Sequence, residues 1–64
     1  MTQKELSYVS DAVMHEESII KIIDKLLNNL ENEELVTFMK DETEKHTKMK
    51  EKLLSLMEEH ANDW

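Results

Sequence analysis

The stretch NNLENEE (residues 28–34) separates two long segments in which apolar residues recur every three or four positions. Asparagine tolerates the left-handed conformation in which many helices end, and its side chain also caps the start of a following helix. Asn32 is followed by Glu33 and Glu34, and acidic side chains stabilise the first turn of a helix by interacting with its dipole. The stretch therefore predicts a turn at about 31–32 between two helices.

The first predicted helix covers about residues 3–30, and the second covers about residues 33–60. TQKE (residues 2–5) matches a capping box, in which the Thr2 hydroxyl accepts a backbone hydrogen bond while Glu5 reaches back to the start of the helix. Each helix is expected to be about 42 Å long at the standard rise, so the two can lie antiparallel along their full lengths. The chain contains no glycine and no proline, which also favours long helices with few tight turns.

One apolar stripe runs along each predicted helix, and its members are spaced alternately three and four residues apart. The apolar members in the first helix are Leu6, Val9, Val13, Ile20, Ile23, Leu27 and Leu30. The apolar members in the second helix are Leu35, Met39, Met49, Leu53 and Leu56. Glu16 fills the vacant place in the first stripe, and Glu42 and His46 fill those in the second. Matching the stripes around the turn places Glu16 opposite His46, so the sequence predicts a polar layer between the helices.

The first helix carries a second apolar stripe beside the first. Its members are Tyr8, Ala12, Ile19, Ile22 and Leu26, and the second helix adds Val36, Phe38, Leu54 and Met57 outside its own stripe. His15 fills the gap in this second stripe. One partner helix cannot cover so wide an apolar face, and a second copy of the chain is the simplest cover. We therefore predict an all-α fold: residues 1–64 form one antiparallel two-helix hairpin, which dimerises into a four-helix bundle whose open end Trp64 could cover.

The polar residues His15, Glu16, Glu42 and His46 are predicted to lie at neighbouring levels of this bundle. An ionised carboxylate is costly to bury without a partner, and proteins usually pair it, protonate it or bind it to a metal. Carboxylate oxygens and imidazole nitrogens suit iron, manganese or zinc, and helical bundles hold such ions between facing helices. The four residues are therefore a candidate metal site. The alternative is a polar layer that sets register and partner number without a metal, with His15 at the surface.

The composition excludes several classes of protein. The absence of cysteine excludes a disulfide framework, a thiol nucleophile and a cysteine-based zinc site. The formal net charge of −7 argues against nucleic acid as a partner, because phosphate binding needs a positive surface. No Ser, His and Asp arrangement or glycine-rich phosphate loop is present, so we assign no catalytic residue. The chain also lacks a signal peptide and an apolar run of roughly 20 residues, so we expect a cytoplasmic protein without a membrane partner.

KELSYVSDAVMHEE (residues 4–17), together with EKH at residues 44–46, resembles small helical proteins of spore-forming Firmicutes. Those proteins are spore-coat-like and belong to the broad ferritin-like group of helical bundles. The resemblance implies a ferritin-like helical pair with His15, Glu16 and His46 at the matching positions. It also implies a role in metal binding or coat assembly, with other coat or cytoplasmic proteins as partners and with a location in the cytoplasm or at the spore.

The chain departs from the ferritin-like pattern at one informative place. The ferritin-like di-iron motif has a glutamate three residues before its histidine, whereas this chain has Thr43 there. Its nearest stripe carboxylate is Glu42, four residues before His46. The resemblance therefore implies a metal-binding bundle rather than a standard di-iron oxidase.

Overall fold

The computed structural model describes residues 1–61, which form two helices, α1 (Gln3–Leu27) and α2 (Glu33–Glu59). The helices pack against each other in antiparallel directions, and the described part of the chain contains no β-strand. The predicted all-α hairpin is therefore confirmed. The Cα atoms extend over 47 × 14 × 11 Å, so the hairpin is a single layer of helices. Trp64 lies outside the described residues.

The capping box predicted at the start of α1 is present. The backbone N–H of Glu5 donates to the Thr2 hydroxyl at 3.0 Å, and the backbone N–H of Thr2 donates to the Glu5 carboxylate at 2.8 Å. The hydrogen bond from the Thr2 backbone is the main reason that the pKa of Glu5 lies below its ordinary value of 4.5. Because this pKa is lowered in the fold, the contribution of Glu5 to stability is present above that value. The contribution is lost as the pH falls through the lowered pKa.

Thr2→Ala is expected to destabilise the protein by about 1 kcal/mol, because the N–H of Glu5 loses the side-chain oxygen that accepts its hydrogen bond. Urea unfolding at neutral pH measures this change. Ser7→Ala is the matched control, since Ser7 is an exposed hydroxyl residue within the same helix. Equal losses in the two variants would contradict the capping role of Thr2.

The turn begins earlier than predicted, because α1 ends at Leu27 rather than near residue 30. The backbone N–H of Asn29 donates to the carbonyl of Leu26 at 2.9 Å, and the Asn29 side chain donates to the carbonyl of Lys25 at 3.1 Å. Asparagines therefore end α1 as expected, but not through the left-handed conformation. No residue in the described part of the chain has a positive φ.

Asn32 starts α2 as predicted. Its side-chain oxygen accepts a hydrogen bond from the backbone N–H of Leu35 at 3.1 Å, and Glu33 and Glu34 occupy the first turn. Asn29 and Asn32, two of the five residues between the helices, thus bond backbone groups at the end of α1 and at the start of α2. This explains how the chain turns without glycine.

The contact between the helices uses the predicted stripe of α1 but a slightly different stripe of α2. Val13 and Ile23 of α1 are the only residues of the described chain that are buried. In α2, Leu35 and Met49 are exposed although the sequence placed them in the contact. Lys50 is half-buried instead, because its amino group pairs with the Glu17 carboxylate at 3.3 Å. This ion pair holds that side of α2 against α1.

One broad side of the hairpin remains apolar and uncovered. Glu17 and Lys50 lie on one side of the contact between α1 and α2. On each helix, the residues one position before a contact residue point to the other side. We call this other side the apolar face. Its members are the exposed Tyr8, Ile22, Leu26, Leu35, Phe38 and Met49, with the half-buried Ala12 and Ile19 between them. Two buried residues make a very small core, and eight large apolar side chains of the described residues remain exposed.

Candidate functional site at the middle of the hairpin

The predicted polar residues lie at mid-length of both helices. His15 is the central residue of α1, and His46 is the central residue of α2. Glu16 follows His15, and Glu42 precedes His46 by one helical turn. Each of these side chains therefore has about the same length of hairpin on either side.

Three of these side chains form a continuous row. Nδ1 of His46 contacts Oε2 of Glu16 across the helix contact, and Nε2 of His46 lies 3.6 Å from Oε2 of Glu42 on its own helix. The exposed fractions of the side chains are 13% for Glu16, 20% for His46 and 27% for Glu42. We call Glu16, His46 and Glu42 the Glu–His–Glu row. The matching of stripes around the turn thus placed Glu16 and His46 opposite each other correctly.

The proton positions in the row follow from its donors and acceptors. An ionised carboxylate only accepts hydrogen bonds, so Nδ1 of His46 carries the proton that is donated to Glu16. A neutral imidazole then presents the lone pair of Nε2 toward the carboxylate of Glu42. Two acceptors that face each other in this way are stabilised by a positive charge between them. A metal ion would supply such a charge.

Two lysines of α2 lie near the row, and one of them contacts a member of it. Nζ of Lys45 lies 3.6 Å from Oε1 of Glu42, and the Lys45 side chain is largely exposed. Lys48 pairs with Glu44 at 3.1 Å on the outer surface of α2. Exposed ion pairs of this kind contribute little to stability. The carboxylate of Glu42 therefore keeps one oxygen directed toward His46.

The structure does not bring His15 into the row. His15 is exposed, and no hydrogen bond or ion pair joins it to another residue among positions 1–61. It precedes Glu16 by one position, so it is turned by roughly 100° from the helix contact toward the apolar face. The four residues of the predicted site thus divide into three that meet within one hairpin and one that faces outward.

The geometry of the row fits a metal ion in part. Two ligands at about 2.1 Å from a tetrahedral metal lie roughly 3.4 Å apart, close to the 3.6 Å between Nε2 of His46 and Oε2 of Glu42. Glu16 on the other ring nitrogen matches the carboxylates that fix the tautomer of metal-binding histidines. Within residues 1–61, no group of three or more His, Asp or Glu side chains is placed to hold a metal. One hairpin therefore supplies two ligands, whereas protein zinc sites use three or four.

Sequence reasoning missed Lys50 and Lys52, which lie beside the row. Met49, Lys52 and Leu53 line an open groove of about 330 Å³ beside Glu16. The Glu17–Lys50 pair lies on the opposite side of the helix contact. Lys50 could have been found, since it follows His46 by four positions and therefore shares its face of α2. The groove has no sequence signal, because it depends on how far α2 is rotated about its axis.

Comparison with known proteins adds no assignment: no family model, no curated protein and no solved structure matches the chain. Neither helix of the described segment has the length and apolar character needed to cross a membrane. The functional interpretation therefore depends on the geometry of the row and of the apolar face.

Proposed function

We propose that this chain is a self-associating helical-hairpin protein, two copies of which pair through the apolar face into a ferritin-like four-helix bundle. In this proposal the Glu–His–Glu row of each copy contributes to a centre that binds iron, manganese or zinc. The observation that carries the proposal is the position of the row: a carboxylate, an imidazole and a second carboxylate meet at mid-length, beside the apolar face.

The exposed area of the hairpin supports pairing. A folded monomer of 7.6 kDa typically exposes about 4,300 Å². The hairpin exposes 5137 Å². The excess is about 800 Å², which is the area that each partner buries in a standard protein–protein interface. Covering the apolar face with a second copy would therefore give the molecule the burial expected of a stable small protein.

The central position of the row favours a second copy over an unrelated partner. Most homodimers have a two-fold axis, and in such a dimer the same surface patch is used by both subunits. If the two hairpins overlap along their full lengths, their midpoints coincide. The two rows then lie at the same level, where donors from one copy can supplement those of the other. An unrelated partner would need its own matching polar residues.

Within the row the residues have different roles toward a metal ion. Nε2 of His46 and the Glu42 carboxylate are the groups that would hold it, and Glu16 would keep the imidazole in the required tautomer. A bound divalent ion would act as a Lewis acid held by α2, and α1 would contribute through the contact of Glu16 with His46. The residues of the chain itself position the imidazole and exclude part of the solvent from it, since all three side chains are less than one third exposed.

The metal proposal is tested by elemental analysis of protein purified after growth with added iron, manganese and zinc. We expect a stoichiometric metal in the wild type and its loss in His46→Ala and in Glu42→Ala, because each variant removes one of two ligands within a hairpin. Glu51→Ala is the control, since Glu51 is an exposed carboxylate on α2 away from the row. Light scattering on the same samples gives the oligomer number. A wild-type dimer without stoichiometric metal would contradict the metal centre but not the pairing.

A second candidate function is structural. The contact between Nδ1 of His46 and Glu16 joins the two helices without a metal ion, and a polar layer of this kind can set register and partner number in a helical bundle. In this case the dimer is an adaptor or assembly protein, and the resemblance to spore-coat-like proteins points to other coat or cytoplasmic proteins as its partners. Replacing all three residues of the row with leucine separates the two candidates, because they predict different oligomer numbers for that variant.

A further inference from the structure

We infer that His15 of one copy binds the metal ion held by Glu42 and His46 of the other copy, so that each metal site is shared between two hairpins. This inference rests on the proposed function, because it presupposes the dimer and its metal centre. It is motivated by the position of His15: the residue is exposed at mid-length, has no partner among the described residues and is turned toward the apolar face.

Two symmetric arrangements allow full overlap of the apolar faces. If the two-fold axis runs parallel to the helices, α1 of one copy lies over α2 of the other. If the axis is perpendicular to the helices, α1 lies over α1 and α2 lies over α2. His15 meets α2 of the second copy only in the first arrangement. The choice between the two therefore decides whether His15 can reach the other copy's row.

Charged residues along the outer edge of the apolar face distinguish the arrangements. On each helix these exposed residues recur mostly at intervals of seven, so they remain on one edge. They are Lys4, Asp11 and Lys25 on α1, and Glu34, Asp41, Lys45, Lys48, Lys52 and Glu59 on α2. Residues on this edge come to face the helix that lies over them in the dimer.

When α1 of one copy lies over α2 of the other, residues face each other at the same heights as within one hairpin, where Glu16 contacts His46. The charged residues at nearby levels then have opposite signs. Lys4 meets Glu59 and Asp11 meets Lys52, each one position from the opposite level, and Lys25 lies between Glu34 and Asp41, three and four positions from its level. Complementary charges of this kind favour one docking geometry over another.

When α1 lies over α1 and α2 lies over α2, the paired helices run antiparallel. Residues equally far before and after the central residue, which is His15 in α1 and His46 in α2, then face each other. Three of the four charged pairs then have the same sign, and only Asp41 with Lys52 is attractive. The like-charge pairs are Lys4 with Lys25, Lys45 with Lys48, and Glu34 with Glu59. Juxtaposed like charges suppress association. The charge pattern therefore favours α1 over α2.

This arrangement puts His15 over α2 of the second copy at the level of its row. His15 sits in the middle of the second stripe of α1, and the level opposite it on α2 lies within one turn of His46. The resulting donor set has one carboxylate and two imidazoles. Three such ligands bind catalytic zinc and non-haem ferrous iron in other proteins, with room for water or another small ligand. His15 thereby supplies the third ligand that a single hairpin lacks.

Mixed dimers test the sharing directly. A His15→Ala copy and a His46→Ala copy, each with a different affinity tag, are refolded together, and the dimer carrying both tags is isolated. Zn²⁺ per dimer is then measured by equilibrium dialysis and elemental analysis. We expect two ions for the wild type and none for either variant homodimer. The mixed dimer should bind one ion, because His15 of the His46→Ala copy meets an intact Glu42 and His46 in its partner.

The matched control is a dimer of one wild-type copy and one copy carrying both substitutions. Shared sites predict no bound Zn²⁺ in this dimer, because the doubly substituted copy damages both sites. Sites contained within one chain predict the reverse: one ion here and none in the mixed single-variant dimer. Light scattering and circular dichroism show whether each variant is folded and dimeric. His46→Gln replaces His46→Ala if the alanine variant fails to fold.

The outcomes separate this inference from the proposed function. A wild-type dimer that binds no Zn²⁺ and no other metal overturns the metal centre and the sharing together. A wild-type dimer that binds two ions, combined with the reversed pattern in the mixed dimers, overturns only the sharing. Full binding by the His15→Ala homodimer also overturns it, since His15 would then not be a ligand.

Discussion

Phe38→Asp is expected to separate the proposed dimer into monomers, raising its Kd by about 100-fold or more. Phe38 is 56% exposed in the hairpin and belongs to the apolar face, so the substitution removes little that holds a single hairpin together. In the dimer, however, it places two unpaired carboxylates where two aromatic rings are buried. Each unpaired buried charge costs several kcal/mol, and about 1.4 kcal/mol corresponds to a factor of ten in Kd.

Dissociation is also expected to lower the thermal stability. Val13 and Ile23 are the only buried residues in the described chain, and a single hairpin with so little core is marginal. The melting temperature of the wild type should rise with protein concentration, as it does when folding and association are coupled. That of Phe38→Asp should be lower and independent of concentration. Sedimentation equilibrium gives Kd, and circular dichroism at several concentrations gives the melting temperatures.

Leu54→Asp is the matched control for Phe38→Asp. Leu54 is 42% exposed and also belongs to α2, but it points to the side of the helix away from the apolar face. Surface substitutions of this kind usually change stability by about 0.5 kcal/mol or less, so its Kd should stay within about threefold of the wild type. If both variants dissociate equally, the apolar face is not where the copies meet.

The hairpin could be predicted from the sequence because the spacing of apolar residues is regular and the asparagine-rich turn is short. The same regularity placed Glu16 opposite His46, since an antiparallel pair with a short turn has few alternative registers. The rotation of α2 could not be predicted. Leu35 and Met49 continue the apolar stripe, but the half-buried Lys50 lies nearer the contact because it pairs with Glu17. Lys50 shares a face of α2 with His46, but the spacing alone does not show that this lysine pairs with Glu17 on the other helix.

His15 shows a different limit of sequence reasoning. It interrupts the second stripe of α1 at the level of Glu16, so the sequence grouped it with the polar layer. In the hairpin it is exposed, because the second stripe does not take part in the contact between α1 and α2. Periodicity can show that a residue belongs to an apolar stripe, but it does not show which neighbour the stripe contacts. The grouping of His15 with the layer holds only if a second copy covers that stripe.

Replacing Glu16, Glu42 and His46 together with leucine is expected to raise the stability of the metal-free protein by about 1–4 kcal/mol. Buried polar or ionic groups are often less stabilising than apolar residues of similar size, because desolvation offsets their attraction. For a chain of this length, each kcal/mol corresponds to roughly 4–8 °C in the melting temperature. Urea unfolding in the presence of a chelator, at equal protein concentrations, measures the change.

Glu16→Leu alone is expected to have the opposite effect and to destabilise the protein by about 1–3 kcal/mol, because Nδ1 of His46 loses its acceptor. The oligomer number then separates the two candidate functions. If the row sets partner number, the triple variant should form trimers or larger species that light scattering detects. If the row serves mainly to bind metal, the triple variant should remain a stable dimer without metal. A triple variant less stable than the metal-free wild type would contradict the structural candidate, since the row itself would then hold the fold together.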